Sequence, residues 1–344
     1  MELALGKLPP EVLSKYLLGM TGAPSPDLVV PPSIGVDFGV IRRGGRRRRG
    51  RGGEGERYLI VSSDPVTGVR ERVGWYAVNV SANDVATSGN RPRFIQSVIL
   101  LPADATVAAV ARLSREMHST AAGLGITIVG GHTELTPGLD RPIVITTAFA
   151  LASSFVTAAD AREGDAVMIT KGAAVEGTAI CASDEARFGP GSDGTMLRRA
   201  RGFYRRLSIV EEAVAAFETG RVHAMHDCTE GGVLGAVYEM SYASGLGFEV
   251  EEARIPVAAE TAYVCARLGL DPLRLISSGT LLMAVERGGE EEVAAAVRAA
   301  GSRAAVIGTF RRGERALARR DGTRERVGEP PTDELWKLVG ARGL

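Results

Sequence analysis

The residues best placed to do chemistry are acids and amides in otherwise apolar surroundings. Ala77-Val78-Asn79-Val80-Ser81-Ala82-Asn83-Asp84-Val85-Ala86-Thr87-Ser88-Gly89 is apolar enough for a buried helix, yet it carries Asn79, Asn83 and Asp84. At a period of about 3.6 residues, Asn79 and Asn83 share one helical face, with Asp84 beside them. Burying a carboxylate and two amides is costly unless something charged or hydrogen-bonding meets them. Nucleotide phosphates with Mg²⁺ would do so, because Mg²⁺ takes oxygen ligands and shares them with phosphates. A polar cap or a satisfied core network would also use these residues, so spacing alone leaves both readings open.

Two further acids sit where catalytic or metal-binding carboxylates are commonly found. Asp37 lies in Ile34-Gly35-Val36-Asp37-Phe38-Gly39-Val40, read as a strand between glycines that allow close backbone approach. Asp64, in Ser63-Asp64-Pro65, ends a strand, although Asp-Pro also starts ordinary turns. Gly130-Gly131-His132-Thr133-Glu134 directly follows a strand, so its amides could cradle phosphate oxygens. Neither a Walker A loop nor a dinucleotide fingerprint is present.

The densest segment of the second half is His223-Ala224-Met225-His226-Asp227-Cys228-Thr229-Glu230-Gly231-Gly232. His223, His226, Asp227 and Cys228 could ligate a transition metal. Against this, a three-residue offset along a strand sends His223 and His226 to opposite faces. The other reading is a strand end, a Thr-bearing turn and a Gly-Gly helix start, again a phosphate-friendly geometry. No order of Ser, His and Asp, or of Cys and His, argues for a covalent nucleophile. Cys228 has polar neighbours, whereas Cys181 and Cys265 fall on apolar helical faces as core fillers.

The elements that must position these residues alternate between strand and helix. The 344 residues suit two domains rather than one core, with a break in character near Ser153–Glu163. The expected domains are 1–155 and 156–344, each α/β (α+β). In the first half, a short helix near Glu11–Leu18 precedes strands at Ile34–Ile41, Tyr58–Ser63, Phe94–Leu101, Ile126–Val129 and Ile143–Leu151. A helix at Thr106–Gly123 connects two of them. In the second half, strands are expected at Asp165–Thr170, Val222–Met225, Gly247–Val250, Leu281–Val285 and Ala304–Phe310. Helices fall near Glu176–Ser183, Glu211–Glu218, Gly231–Ser244, Val257–Leu268 and Glu290–Ala300, with a polar loop at Arg187–Thr195. Eight arginines between Arg42 and Arg57 cannot bury apolar surface and read as a solvated hairpin tip, with RNA or an acidic partner as the other use.

A net charge of +0 supplies no global field for nucleic acid or a membrane surface. No apolar run reaches the roughly 18 residues of a membrane span. The first residues lack signal-peptide order, and three widely spaced cysteines do not make a disulfide framework, so a reducing, cytoplasmic setting is expected.

Taken in order, Gly35-x-Asp37, Ser63-Asp64, Asn79-x-x-x-Asn83-Asp84-x-x-x-x-Gly89 and Gly130-Gly131-x-Thr133 form one set of signatures. Gly164-Asp165-x-Val167 and His223-Ala224-Met225-x-Asp227-x-Thr229-x-Gly231-Gly232 form another. Together they resemble the superfamily of aminoimidazole ribonucleotide (AIR) synthetase, the hydrogenase maturation protein HypE, selenophosphate synthetase and thiamine-monophosphate kinase. The resemblance runs from Gly6-Lys7-Leu8-Pro9 to about Phe310, and is strongest to HypE. It implies a two-domain PurM-like fold whose N-terminal sheet joins that of a second copy in a barrel-like homodimer. It also implies ATP and Mg²⁺, with Asp37, Asp64 and Asp84 as metal ligands and Asp84, Asp64 and Asp227 as catalytic residues. Asp37, Asn79, Asn83, Gly130, Gly131, His132, Thr133, Thr229, Gly231 and Gly232 would contact the nucleotide. The implied chemistry is activation of an oxygen of a small-molecule or partner-borne substrate by phosphoryl transfer. The alternative is a non-catalytic nucleotide-binding dimer acting as a maturation or regulatory partner.

The chain also departs from HypE. Thr229-Glu230-Gly231-Gly232 stands where HypE has Thr-Arg-Gly-Gly, reversing a charge. Ser277-Ser278-Gly279 stands where HypE has Cys-Glu-Gly. HypE ends in a Cys that carries the group it dehydrates, whereas this sequence closes Ala341-Arg342-Gly343-Leu344 with Cys265 its last cysteine. The expectation is a HypE-like paralogue acting on an external substrate.

Overall fold

The computed structural model describes residues 6–43 and 57–338. The chain divides into two compact units, one of residues 25–31 and 37–155, the other of residues 6–24, 32–36 and 156–338. The lead and the Gly35 segment therefore pack with the C-terminal half, a correction to the expected 1–155 domain. Gly35 requires this placement. Its φ is +76°, and a Cβ there would lie 2.5 Å from the carbonyl oxygen of Glu239.

In the lead, α1 spans Pro10–Tyr16. The first unit is built on a six-stranded sheet of β1 (Leu28–Val30), β2 (Gly39–Arg42), β3 (Tyr58–Val66), β4 (Phe94–Pro102), β5 (Thr127–Thr136) and β6 (Ile143–Ala152), in the order β1-β2-β3-β6-β4-β5. All pairs are antiparallel except β4 and β5, which run parallel because α3 (Val107–Gly123) crosses between them. The other helix, α2 (Val73–Ala86), packs on β3, β6 and α3. It is apolar around nearly its whole circumference, which only a core helix can be. Its buried polar groups are met locally: Ser81 bonds Thr146 of β6, and Thr146 donates to the Ala77 carbonyl at 2.6 Å.

Two expectations for this unit need revision. Asp37 lies before β2 and not within a strand, because β2 begins only at Gly39. Gly130 and Gly131 do not form a loop after a strand but lie inside β5, where Ile95 pairs Ile128 and Gln96 pairs Gly130. Val129 is thus the extra residue of a bulge. β2 and β3 pair as the expected hairpin, with Arg42 opposite Tyr58. The Arg-rich tip itself, residues 44–56, lies outside the described residues.

The second unit holds a seven-stranded sheet of β7 (Ala166–Thr170), β8 (Val222–Asp227), β9 (Gly247–Glu251), β10 (Leu281–Val285), β11 (Ala304–Arg311), β12 (Arg315–Ala318) and β13 (Arg324–Arg326). Its order is β13-β12-β9-β11-β7-β10-β8. β7 and β10 are buried along their entire length, so both faces of the sheet centre are covered. On the chain between them come α4 (Val175–Ser183), α5 (Gly194–Arg201), α6 (Val210–Glu218), α7 (Gly232–Ser244) and α8 (Ala259–Leu268), with α9 (Glu290–Ala299) following β10. Val233, Leu234, Val237 and Met240 of α7 join Val167, Ile169, Leu282, Phe248 and Phe310 in one core. A second cluster sets Cys181 and Cys265 among Phe188, Leu197 and Leu275. Helix α5 begins at the end of the segment expected to be a polar loop and runs beyond it, where no helix was expected. Its start is fixed by Asp193, whose side chain accepts from the Thr195 and Met196 amides.

Gly131 is the tightest point of the first unit, since a Cβ there would stand 1.9 Å from the Ser97 carbonyl oxygen across the β4–β5 pair. Gly130 has nothing within 4 Å of its Cβ position. Gly131→Ala should therefore cost about 2–4 kcal/mol in urea unfolding, and Gly130→Ala about 1 kcal/mol from backbone strain alone. Equal costs for the two would contradict this packing.

Candidate functional site

In the first unit Ser62, a residue that the sequence did not single out, meets the Asp84 carboxylate and the Asp37 main chain. Asp84, near the end of α2, is 8% exposed, and its Oδ2 accepts from the Ser62 hydroxyl of β3 at 2.6 Å. The same hydroxyl lies 2.8 Å from the backbone carbonyl of Asp37. Asp64 is two residues farther along β3, so it projects from the same face of the sheet as Ser62. The single Ser62 hydrogen is thus shared between the Asp37 carbonyl and the Asp84 carboxylate, with Asp64 on the same side of the sheet.

The amides beside them are deeply buried. Asn79 donates to the Trp75 carbonyl at 2.9 Å, so its NH₂ group serves its own helix, and Asn83 is fully buried. Gly130, Gly131, His132 and Thr133 all lie on β5, the edge strand of the sheet, which is exposed from Thr127 to Leu135. The His132 ring lies 3.1 Å from Glu134, and this hydrogen bond holds the Glu134 carboxyl below its ordinary range.

In the second unit, Asp227 ends β8 opposite Leu281 and is 1% exposed. The turn that follows is held by its neighbours: Cys228 donates its amide to the Thr280 carbonyl at 2.9 Å, and Ser277 donates to the Thr229 carbonyl at 3.3 Å. Gly231 (φ +81°) and Gly232 (φ +63°) start α7 in a left-handed bend. Side chains are excluded there, since a Cβ on Gly232 would lie 2.7 Å from the carbonyl oxygens of Leu273 and Leu275. The Gly231 amide, which the sequence offers to a phosphate, donates at 2.7 Å to Asp333. Burial pushes the Asp333 carboxyl up to about 6, against the lowering pull of the Leu335, Gly231 and Ile276 amides.

The two β8 histidines have different partners, as a three-residue offset requires. His223 meets Asp165 at 2.9 Å through Nδ1, and His226 meets Glu239 at 2.8 Å through Nε2. Cys228, for which the sequence suggested polar surroundings, is fully buried in the apolar core around α7. Burial pushes the Cys181 and Cys265 thiols up to about 12, consistent with core filling.

Lys7, Ser62, Glu239 and Asp333 were missed as contributors. Glu239 was legible, being an acid inside the apolar helix sequence Gly232-Val233-Leu234-Gly235-Ala236-Val237-Tyr238-Glu239. Ser62 and Asp333 carried no local signal, because their partners are distant in sequence.

Profiles of two domains match the sequence: the AIR synthase-related N-terminal domain over residues 48–152 and its C-terminal domain over residues 162–318. The chain belongs to the AIR synthase-related family. It is an enzyme of that family. Carbamoyl dehydratase HypE of Escherichia coli is 29% identical over 83% of this chain and 85% of its own length. A crystal structure of E. coli HypE superposes with a TM-score of 0.70 at 27% identity, covering 82% of this chain and 89% of that one. A HypE structure in complex with ATP gives a TM-score of 0.68 at 22% identity over 95% of this chain and 96% of the other. A putative hydrogenase expression/formation protein of Methanocaldococcus jannaschii is 26% identical over 62% of this chain, and the match spans 62% of that relative's length. Among the described residues, no helix of this AIR synthase-related chain is long and apolar enough to cross a membrane.

The Asp333 contact predicts a pH dependence. Its carboxyl titrates at about 6 when folded, against an ordinary value of 3.8. The folded state therefore holds the extra proton between those values. The contribution to stability is full below pH 4 and falls as pH rises to 6. Urea unfolding should show the wild type losing on the order of 2–3 kcal/mol relative to Asp333→Asn between pH 4 and 7. A difference that does not change with pH would remove the effect from Asp333.

Proposed function

We propose that this enzyme transfers the γ-phosphoryl group of ATP, bound as its Mg²⁺ complex, to an oxygen of a small-molecule or partner-borne substrate. The observation that carries the reading is the buried Asp84 carboxylate hydrogen-bonded to Ser62, which also reaches the Asp37 peptide. A carboxylate at 8% exposure is expensive to keep ionised, and a bound cation offsets that cost. The HypE structure solved in complex with ATP supports a nucleotide as the ligand.

Asp37, Asp64 and Asp84 offer only oxygen ligands, a donor set that fits Mg²⁺ better than zinc or copper. Bound there, the ion would neutralise charge on the phosphate oxygens. The protein's own part is to orient. Ser62 helps to orient the Asp84 carboxylate by donating to Oδ2, so less rearrangement is needed when charge develops. Asn79, Asn83, Gly130, Gly131, His132 and Thr133 are the assigned nucleotide contacts of this unit. The other unit is read separately: the Thr229 hydroxyl is proposed as a donor to an anionic oxygen and Asp227 as a proton acceptor, whereas the Gly231 and Gly232 amides are already given to Asp333 and to the Thr229 carbonyl.

Asp84→Asn should weaken Mg-ATP binding by about 2–4 kcal/mol, roughly thirty- to several-hundred-fold, in isothermal calorimetry. Equal affinities for a folded variant and wild type would take Asp84 out of the site.

The same reading includes a homodimer. Ile128, Val129 and Leu135 on β5 are 38%, 55% and 58% exposed on an unpaired sheet edge, the feature that proteins otherwise cover or blunt. Light scattering at micromolar concentration should give twice the 36.2 kDa chain mass. A species of 36.2 kDa alone would exclude the dimer.

A further inference from the structure

Helix α7 carries one acid in its apolar interior, and that acid receives two cationic or protonated partners from distant parts of the chain. Glu239 is 17% exposed and takes the His226 ring at 2.8 Å and the Lys7 ammonium at 3.0 Å and 3.2 Å. Lys7 also donates to the Thr229 hydroxyl at 3.1 Å, and its backbone amide donates to Glu230 at 2.9 Å. Gly6 holds this approach with φ +102°, since a Cβ there would stand 2.7 Å from the Trp336 indole nitrogen. Three of these partners, His226, Thr229 and Glu230, flank Asp227 in sequence.

We propose that Lys7 is a positioning residue for the Asp227–Thr229 turn, setting through Thr229 and Glu239 which hydrogens that turn presents. The inference rests on the phosphoryl-transfer reading above and adds Lys7 and Glu239 to it. An ammonium group only donates, so Thr229 Oγ accepts from it, and the threonine's own hydrogen points elsewhere, toward an anionic oxygen. An ionised carboxylate only accepts, so His226 must carry its proton on Nε2. Burial alone would raise the Glu239 carboxyl, but the Lys7 ammonium and the His226 ring outweigh it and hold it at about 2. Glu239 therefore stays ionised at neutral pH and keeps both partners in one arrangement. Lys7 is 48% exposed, so its ammonium is reachable from solvent as well as bound.

The test uses the full chain with Mg-ATP and water as the acceptor, following ADP release for wild type, Lys7→Met and Lys7→Arg. The expected result is a kcat at least tenfold lower in Lys7→Met, with KM for Mg-ATP within threefold and the variant still folded at the assay temperature. Lys7→Arg should recover to within threefold of wild type, because it restores a donor-only cation. An unchanged kcat in Lys7→Met, or a change in KM alone, would overturn the proposal. Nitrogen-15 NMR of the histidine rings gives a readout that needs no turnover. Wild-type His226 should show a single Nε2–H tautomer that loosens in Lys7→Met and becomes mixed in Glu239→Gln. Identical ring spectra in all three proteins would overturn the Lys7–Glu239 linkage. Absence of ADP release from wild type with the expected spectra would count against the phosphoryl-transfer reading and leave the linkage standing.

Discussion

The hydrogen bond between Ser62 and Asp84 is the interaction on which the first unit depends. It allows a helix as apolar as α2 to bury an acid near its end, and it joins that helix to β3 at the position where Asp64 also projects. The Ser62 donor offsets part of the carboxylate's desolvation cost, which is of the order of a few kcal/mol. The same helix meets β6 through Ser81 and Thr146, so the polar groups of α2 also set its height on the sheet. Packing and site geometry are one arrangement here: a shift of α2 would break both.

The second unit solves a different problem, the placement of a sharp turn after the buried edge strand β8. β8 delivers Asp227 into a layer buried on both sides, and the chain then has to reverse into α7. Two positive-φ glycines make the reversal, while Leu273, Leu275 and Pro331 leave no room for side chains at them. Asp333 satisfies the Gly231 amide from the far end of the chain, which explains why the last described segment packs in this unit. Lys7 meets the same turn through Thr229 and Glu230, so residues far apart in sequence hold it from both sides.

Much of this was legible in the sequence because it rests on local periodicity. The buried helix carrying Asn79, Asn83 and Asp84 stands where its apolar pattern puts it, and the strands around Asp64, Asp165 and His223 are near their expected bounds. What was not legible depends on distant partners. Gly130-Gly131 reads locally as a turn, but pairing with β4 draws it into an edge strand with a bulge at Val129. Asp37 reads as mid-strand because Ile34–Ile41 is apolar, but Gly35 is taken up by packing against Glu239 and the strand starts only at Gly39. β12 and β13 are short and charged, and take their conformation from β9 and from each other, not from their own residues.

The central claim, that the chain turns over ATP and does not merely bind it, is tested most directly by phosphorus-31 NMR. The purified protein would be incubated with ATP, Mg²⁺ and fractions of a small-metabolite extract. The account predicts ADP together with inorganic phosphate or a new phosphorylated product, formed faster with an active fraction than with water alone and lost in Asp84→Asn. A folded protein that binds Mg-ATP yet leaves its spectrum unchanged across every fraction would contradict it and favour a nucleotide-binding regulator.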